Sequence, residues 1–299
     1  MTPEDAPRDC SEPRALAAAD LPACLALSEI AGWNQNDADW RLMLAVGRGW
    51  GIDAAFRDSG SRLVATLVVI PYGRFAWISM VLVLPSCRGR GLATTLLRLA
   101  LRRLAAERTI PVLDATPAGY PVYRQLGFAG TWGFRRYRRE AALAAAERVP
   151  GAASGPRTRP IAESDWPAIL ALDTPAFGAD RGPLLRALAG RLPRSARILI
   201  RDGCPAGYVL GRDGRDAIQI GPLLADDDAA ALALLRDALA GIPGPVYLDL
   251  ADRHLALLEP LRDLGFALQR PFTRMVLATP AVAPGAPDRV VLVAGPELG

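Results

Sequence analysis

The sequence predicts an α/β fold written twice, each copy a mixed, twisted sheet flanked by helices. Three observations carry this reading. An apolar run from Ala76 to Leu84 ends at Pro85, a short Gly/Arg turn follows, and Leu92, Leu96, Leu97, Leu99, Leu101 and Leu104 then recur at helical spacing. The same order of elements returns in weaker form beyond residue 158. Finally, 299 residues, 51% of them hydrophobic, suffice for two domains, each with its own core.

In chain order, Asp20-Leu21-Pro22 opens the first helix, and Trp33-Asn34-Gln35 lies between the first two helices. The strand Ile78-Ser79-Met80-Val81-Leu82-Val83 leads into Arg88-Gly89-Arg90-Gly91. Such a turn before a helix suits an anion, because the first helical amides are unpaired, glycines admit close backbone approach and arginines add charge. It lacks the Lys-Ser/Thr of a P-loop and the spacing of a dinucleotide fingerprint. Pro111 to Thr116 reads as a strand, and Gly119 to Phe128 as a short helix closed by Gly127. Arg135, Arg136, Arg138 and Arg139 fall on a late strand with Phe134 and Tyr137. A nucleic-acid patch there is weighed against a solvated strand face, and the solvated face is favoured.

Residues 140–160 shift to Ala, Gly, Pro and Ser, a linker composition. The expected boundaries are a first domain at 1–140, a linker at 141–157 and a second domain at 158–299. In the second copy Asp165-Trp166-Pro167 answers Asp20-Leu21-Pro22. Val246-Tyr247-Leu248-Asp249 answers Val112-Leu113-Asp114, and Leu264-Gly265-Phe266 answers Leu126-Gly127-Phe128. Ile198–Arg201 and Gly207–Leu210 read as strands, Ala229–Leu239 as a helix, and Val290–Val293 as a closing strand.

The order Arg-x-x-Gly-x-Ala after V-x-V-x-P, followed by Tyr123-x-x-x-Gly127-Phe128, resembles the GCN5-related N-acetyltransferases (GNAT). Gly32 to Gln35, Leu113 to Gly119, Phe177 to Arg181 and the closing Ala294 to Gly299 resemble the tandem bacterial YitH/HolE-type subgroup. The resemblance implies acetyl-CoA as donor, held by backbone groups of Val81 and Val83 and by Arg88, Gly89, Arg90, Gly91, Ala93 and Thr94. It implies direct transfer to an amine, with Tyr123 as the acid for the departing thiolate and Tyr120 as its substitute. A phenol of pKa roughly 10 is protonated at neutral pH, and a thiolate of pKa roughly 8.5 gains from such a donor. Asp114 is the leading base candidate, weighed evenly against a structural role. Glu29, Asp37 and Asp39 are expected to be solvated helix residues. Trp33, Asn34 and Gln35 are expected to line the acceptor site, against the alternative of a core indole with Asn34 as helix cap.

The second copy departs where chemistry would occur. Asp226-Asp227-Asp228 stand where the arginines and glycines stood, and Leu261 takes the place of Tyr123. It is expected to be degenerate. Asp180 and Arg181 could reach the acceptor, although a local salt bridge is the simpler expectation.

Composition narrows the rest. The formal net charge is +4, every basic residue is arginine, and the basic residues are dispersed. No apolar stretch has the length of a membrane span, and the first residues lack a signal-peptide pattern, so a cytoplasmic protein is expected, while the resemblance to the tandem subgroup implies a bacterial one. The four cysteines form no C-x-x-C pair, so no metal site is expected. Cys87 reads as filler, and His254 as a surface or packing residue. The expected partner is a small-molecule amine, with neither nucleic acid nor membrane, in a monomer or homodimer. The rivals are a mycothiol-synthase-like tandem enzyme and a non-catalytic acyl-CoA sensor.

Overall fold

The computed structural model describes residues 9–56, 60–141 and 158–299. All but the first residue of the expected linker lies outside them. The chain divides into two compact units, one reaching Leu113, the other running from Asp114 to Glu297 and including Gly299.

In the first unit the strands β1 (Arg14–Ala15), β2 (Arg48–Phe56), β3 (Gly60–Tyr72), β4 (Phe75–Val83) and β5 (Ile110–Ala115) lie side by side in that order. β5 begins in this unit and ends in the next. The pairs from β1 to β4 are antiparallel, and β4–β5 is parallel, so the sheet is mixed. The helices are α1 (Leu21–Ile30), α2 (Asp37–Val46) and α3 (Leu92–Ala106). α3 buries Leu92, Leu96, Leu97, Ala100 and Leu104, the face that leucine spacing predicts.

The second unit starts with α4 (Tyr120–Gln125) and β6 (Ala129–Arg139). It continues with β7 (Thr158–Pro160), α5 (Trp166–Phe177), α6 (Gly182–Arg191), β8 (Arg197–Arg201), β9 (Cys204–Arg212) and β10 (Ile218–Ala225). Then come α7 (Asp228–Leu239), β11 (Val246–Ala251), α8 (Leu258–Asp263), β12 (Ala267–Val276) and β13 (Val290–Leu292). Its strand order is β12-β6-β11-β13-β10-β9-β8-β7. Compact unit and sequence repeat therefore divide the chain at different places. β6, from the first repeat, is hydrogen-bonded to β11 on one side and β12 on the other.

The repeat is visible in matched anchors. Arg14 forks onto Asp20 at 2.8 and 2.9 Å ahead of α1, while the Ala17 amide donates to the same carboxylate. Arg159 and Asp165 do the same at 2.6 and 2.7 Å ahead of α5, with the Ala162 amide. A bidentate pair of this kind fixes the angle at which the chain enters the helix. The ends of α4 and α8 also agree. Phe128 donates to the Tyr123 carbonyl at 3.1 Å, and Phe266 to the Leu261 carbonyl at 2.9 Å. Gly127 (φ 93°) and Gly265 (φ 84°) take the left-handed turn that follows. These bonds give Tyr123 and Leu261 equivalent positions.

Candidate active site

In the first unit, the feature that shapes β4 is a bulge. Ser79 pairs with Val68 and Leu82 with Thr66, so Met80 and Val81 together oppose Leu67. Met80 carries φ 50°, a rare conformation for an unbranched residue, and the Thr66 hydroxyl donates to its carbonyl at 2.9 Å. The parallel ladder to β5 runs from Phe75/Ile110 to Trp77/Val112 and stops there, while β4 continues to Val83. Val81 and Val83 are half-buried on this stretch. A strand released from its neighbour offers backbone N–H and C=O groups to an extended ligand.

After a single turn at Pro85–Cys87, Arg88 Nε donates to the Val83 carbonyl at 3.2 Å and ties the loop to the strand. Gly89 (φ 76°) and Gly91 (φ 77°) are left-handed, and a Cβ on either would meet nothing within 4 Å. Their role is thus conformational, and open space lies in front of them. Gly91 caps α3 without any side-chain hydrogen bond, and the first intrahelical bond is Thr95 N–H to the Gly91 carbonyl at 2.9 Å. The amides of Leu92, Ala93 and Thr94 precede that bond and are the donors that an anion can take. The residues expected to hold a pyrophosphate therefore fit one. Cys87 is buried and its thiol is pushed up by burial, as befits packing rather than reactivity.

Between α1 and α2, Asn34 and Gln35 are buried, Trp33 is half-buried, and Gln35 Oε1 has no hydrogen-bond partner among the described residues. The cap of α2 is Asn36 rather than Asn34. Asn36 accepts from the Asp39 amide, and Asp39 accepts from the Asn36 amide, both at 3.1 Å. Asp39 is consequently buried, which corrects its expected solvation. Asp37 pairs with Arg41 one turn on, and Glu29 is exposed.

In the second unit, Tyr123 sits on α4 with its ring edge-on to Phe128 at 6.1 Å. Gly119 leaves room for that ring, since a Cβ there would lie 2.9 Å from it. The Tyr123 hydroxyl makes no hydrogen bond among the described residues, and burial pushes its pKa up to about 12. The Asp114 side chain is fully buried, and its two oxygens each accept from Arg274 at 3.0 Å. Burial raises its carboxyl pKa against the pull of that guanidinium. A carboxylate held this way is a positioning group for β5 and β12, and the geometry gives it no free approach as a base.

The second repeat carries the same bulge with different contents. Ile220 pairs with Gly211 and Leu223 with Val209, so Gly221 and Pro222 oppose Leu210. Pro222, at the place of Val81, has no N–H to offer. β10 and β11 pair only from Ile218/Val246 to Ile220/Leu248. Beyond that point β13 enters between them, pairing Leu292 with Leu223 and with Leu250. Gly221 (φ 146°) permits this approach, because a Cβ there would lie 2.2 Å from the Val293 carbonyl oxygen. Buried Arg212 holds the tail through the Ala294 carbonyl and Glu297, and Arg181 holds the Gly299 carbonyl at 2.7 Å. Asp227 caps α7 by accepting from the Ala230 amide at 2.8 Å. Here the residues do not fit an acyl-CoA: the slot is filled, the helix start is taken by carboxylates and the tyrosine is leucine.

Other expectations are corrected by partners distant in sequence. Arg136 and Arg139 are buried, not solvated. Arg136 forks onto Asp249 at 2.7 and 2.8 Å, and Arg139 donates to the Ile242 carbonyl at 2.8 Å. His254 has partners, Asp228 at 2.9 Å and the Val290 carbonyl at 3.1 Å. Arg181 makes the expected local salt bridge, but with Asp173, to which Tyr208 also donates.

Two family models match. One, for the acetyltransferase (GNAT) family, covers residues 27–128, and the other, for an acetyltransferase (GNAT) domain, covers 169–285, ending before β13. The uncharacterized N-acetyltransferase YitH of Bacillus subtilis is 25% identical over 237 residues, 79% of this chain and 80% of that protein. A putative acetyltransferase from Pyrococcus horikoshii has the same fold, with TM-score 0.74 at 21% identity, covering 97% of this chain and 96% of the other. So has a tandem GNAT protein from the clavulanic acid biosynthesis pathway, with TM-score 0.64 at 18% identity, covering 90% and 98%. With two family matches in tandem, two matched bulges and two matched helix ends, the chain belongs to the GCN5-related N-acetyltransferase superfamily as a two-domain member with a degenerate second copy.

Proposed function

We propose that the protein transfers an acetyl group from acetyl-CoA directly to a primary amine of a small molecule, with residues 1–140 as the catalytic repeat and 158–299 as its degenerate partner. The observation that carries this reading is the start of α3, where left-handed Gly89 and Gly91 face open space ahead of a helix with no side-chain cap. There Arg88, Gly89, Arg90, Gly91, Ala93 and Thr94 receive the pyrophosphate. Val81 and Val83 receive the pantetheine arm through backbone groups, and Trp33, Asn34 and Gln35 face the acceptor. Tyr123 protonates the leaving thiolate: its hydroxyl is uncommitted, and its raised pKa keeps the proton in place at neutral pH. An amine of pKa roughly 10 must lose a proton before it attacks. Asp114 is bound to Arg274, so the proton leaves by another route.

The test is thiol release from acetyl-CoA over a panel of amines, with the parent and Tyr123→Phe. Turnover by the parent, lost in the variant while acetyl-CoA binding survives, supports the reading. Equal turnover sinks the acid role. Acetyl-CoA binding with no turnover on any amine would favour a sensor.

A further inference from the structure

Among the described residues of the first unit, two buried side-chain polar atoms have no hydrogen-bond partner, Ser79 Oγ and Gln35 Oε1. Both residues are more than nine-tenths buried, Ser79 at 7% exposure and Gln35 at 4%. Other buried hydroxyls of this unit are satisfied: Thr66 donates to the Met80 carbonyl at 2.9 Å, and Ser28 accepts from the Trp40 indole at 2.9 Å. A buried polar group without a partner is destabilising, and a bound ligand is one thing that supplies the partner.

The strand places Ser79. It is the last residue of β4 before the bulge, and it lies beyond the ladder to β5, which stops at Trp77/Val112. With a pyrophosphate at the start of α3 and the pantetheine arm along Val83 and then Val81, the next residues that the arm reaches are Met80 and Ser79. A strand rises about 3.3 Å per residue, so the far end of the arm, its thioester, comes to this stretch. Cross-strand partners share a face of the sheet. Ser79 pairs with Val68, Val68 pairs with Gly49, and a Cβ on Gly49 would lie 2.8 Å from Leu44 of α2. Ser79 therefore projects to the face that α1 and α2 cover, and Gln35 lies in the connection between those two helices.

We propose, resting on the function proposed above, that Ser79 Oγ and Gln35 Oε1 receive the two N–H bonds of the attacking amine and so restrict the acceptor to primary amines. The Gln35 oxygen is purely an acceptor, and a hydroxyl oxygen accepts when its hydrogen turns aside. Two acceptors in a dry place match a ligand with two donors. A neutral primary amine has two N–H bonds and one lone pair, so binding through both N–H bonds leaves the lone pair for the thioester carbonyl. A secondary amine has one N–H bond and strands one acceptor, which a site of this kind penalises heavily.

The test has three readouts. Ser79→Ala and Gln35→Met each remove an unpartnered group, so both variants should unfold thermally at or above the parent temperature. A clear loss of stability in both would give the side chains a structural role and overturn the proposal. Second, protein labelled with ¹⁵N-glutamine is titrated, with CoA present, with butylammonium and with butyltrimethylammonium, which has the same charge and no N–H. The Gln35 side-chain signal, assigned from Gln35→Met, should move saturably with the first and stay with the second. An equal response to both, or none to either, overturns the subsite whether or not any amine is acetylated. Third, the amine acetylated fastest in the panel is compared with its N-methyl derivative. The parent should prefer the primary amine by about 100-fold in kcat/KM. Ser79→Ala and Gln35→Met should each bring that ratio towards one, the double variant no further, and Gln35→Glu, which keeps an acceptor, should retain it. A ratio unchanged in both single variants overturns the proposal. A response to butylammonium with no acetylation of any amine keeps the subsite and removes the proposed reaction.

Discussion

Asp114→Asn separates a catalytic carboxylate from a structural one. In the parent, the Asp114 side chain is fully buried, that of Arg274 is nearly so, and two bonds of 3.0 Å join them. The substitution leaves a buried guanidinium facing a neutral amide. Breaking one partner of such a pair typically costs about 3–5 kcal/mol, a large share of the roughly 5–15 kcal/mol that holds a domain folded. Arg274→Met should cost a similar amount, because it strands the carboxylate. The double variant should recover much of the loss, giving a coupling of about 2 kcal/mol or more. The assay is urea unfolding at pH 7 for the parent, both singles and the double, with acetyl transfer measured on the folded fraction. A base would behave differently: Asp114→Asn would keep parental stability and lose about 10²- to 10⁴-fold in turnover, with no rescue by Arg274→Met. That pattern would refute the positioning role.

Other expectations follow from single observations. Tyr123→Phe should change stability by less than about 0.5 kcal/mol, because the hydroxyl bonds to nothing in the described fold, while turnover falls. With that phenol pushed up to about 12, the parent pH–rate profile should show no loss of the acid between pH 6 and 10. Arg159 holds the Asp165 carboxyl down at about 2, below its unfolded value. Its stabilisation is complete above the unfolded pKa, near 4, and fades as pH falls towards 2, so Arg159→Gln should flatten the acid limb of a stability–pH curve. Asn36→Ala removes the α2 cap and should cost about 1 kcal/mol in thermal unfolding. Gly221→Ala places a methyl against the Val293 carbonyl and should speed amide exchange at Val290–Val293.

Much of this was legible along the chain because local chemistry dictated it. The leucine spacing of α3, the left-handed glycines at 89, 91 and 127, and the Asp-x-Pro helix starts are decided within a few residues of each other. The equivalence of Tyr123 and Leu261 could be counted from a glycine, and the carbonyl bonds to Phe128 and Phe266 reproduce the count. Other features depend on partners far away in sequence. Arg136 reads as a solvated strand residue until Asp249 meets it across 113 positions. Asp114 reads equally as a base or as a structural carboxylate until Arg274 arrives from 160 positions on. The Val290–Val293 run announces a strand, yet nothing in it says that it will part β10 from β11. Asn36 outcompetes Asn34 as cap because Asp39, three residues on, completes its reciprocal bonds.

The central claim is one working acyl-CoA site per chain, and equilibrium titration with acetyl-CoA by calorimetry tests it most directly. The parent should bind one equivalent, and Gly91→Asp should abolish it by placing a carboxylate and a strained φ at the start of α3. Two equivalents, or one that survives Gly91→Asp, would contradict the claim and move the donor to the second copy, despite β13 and its aspartates.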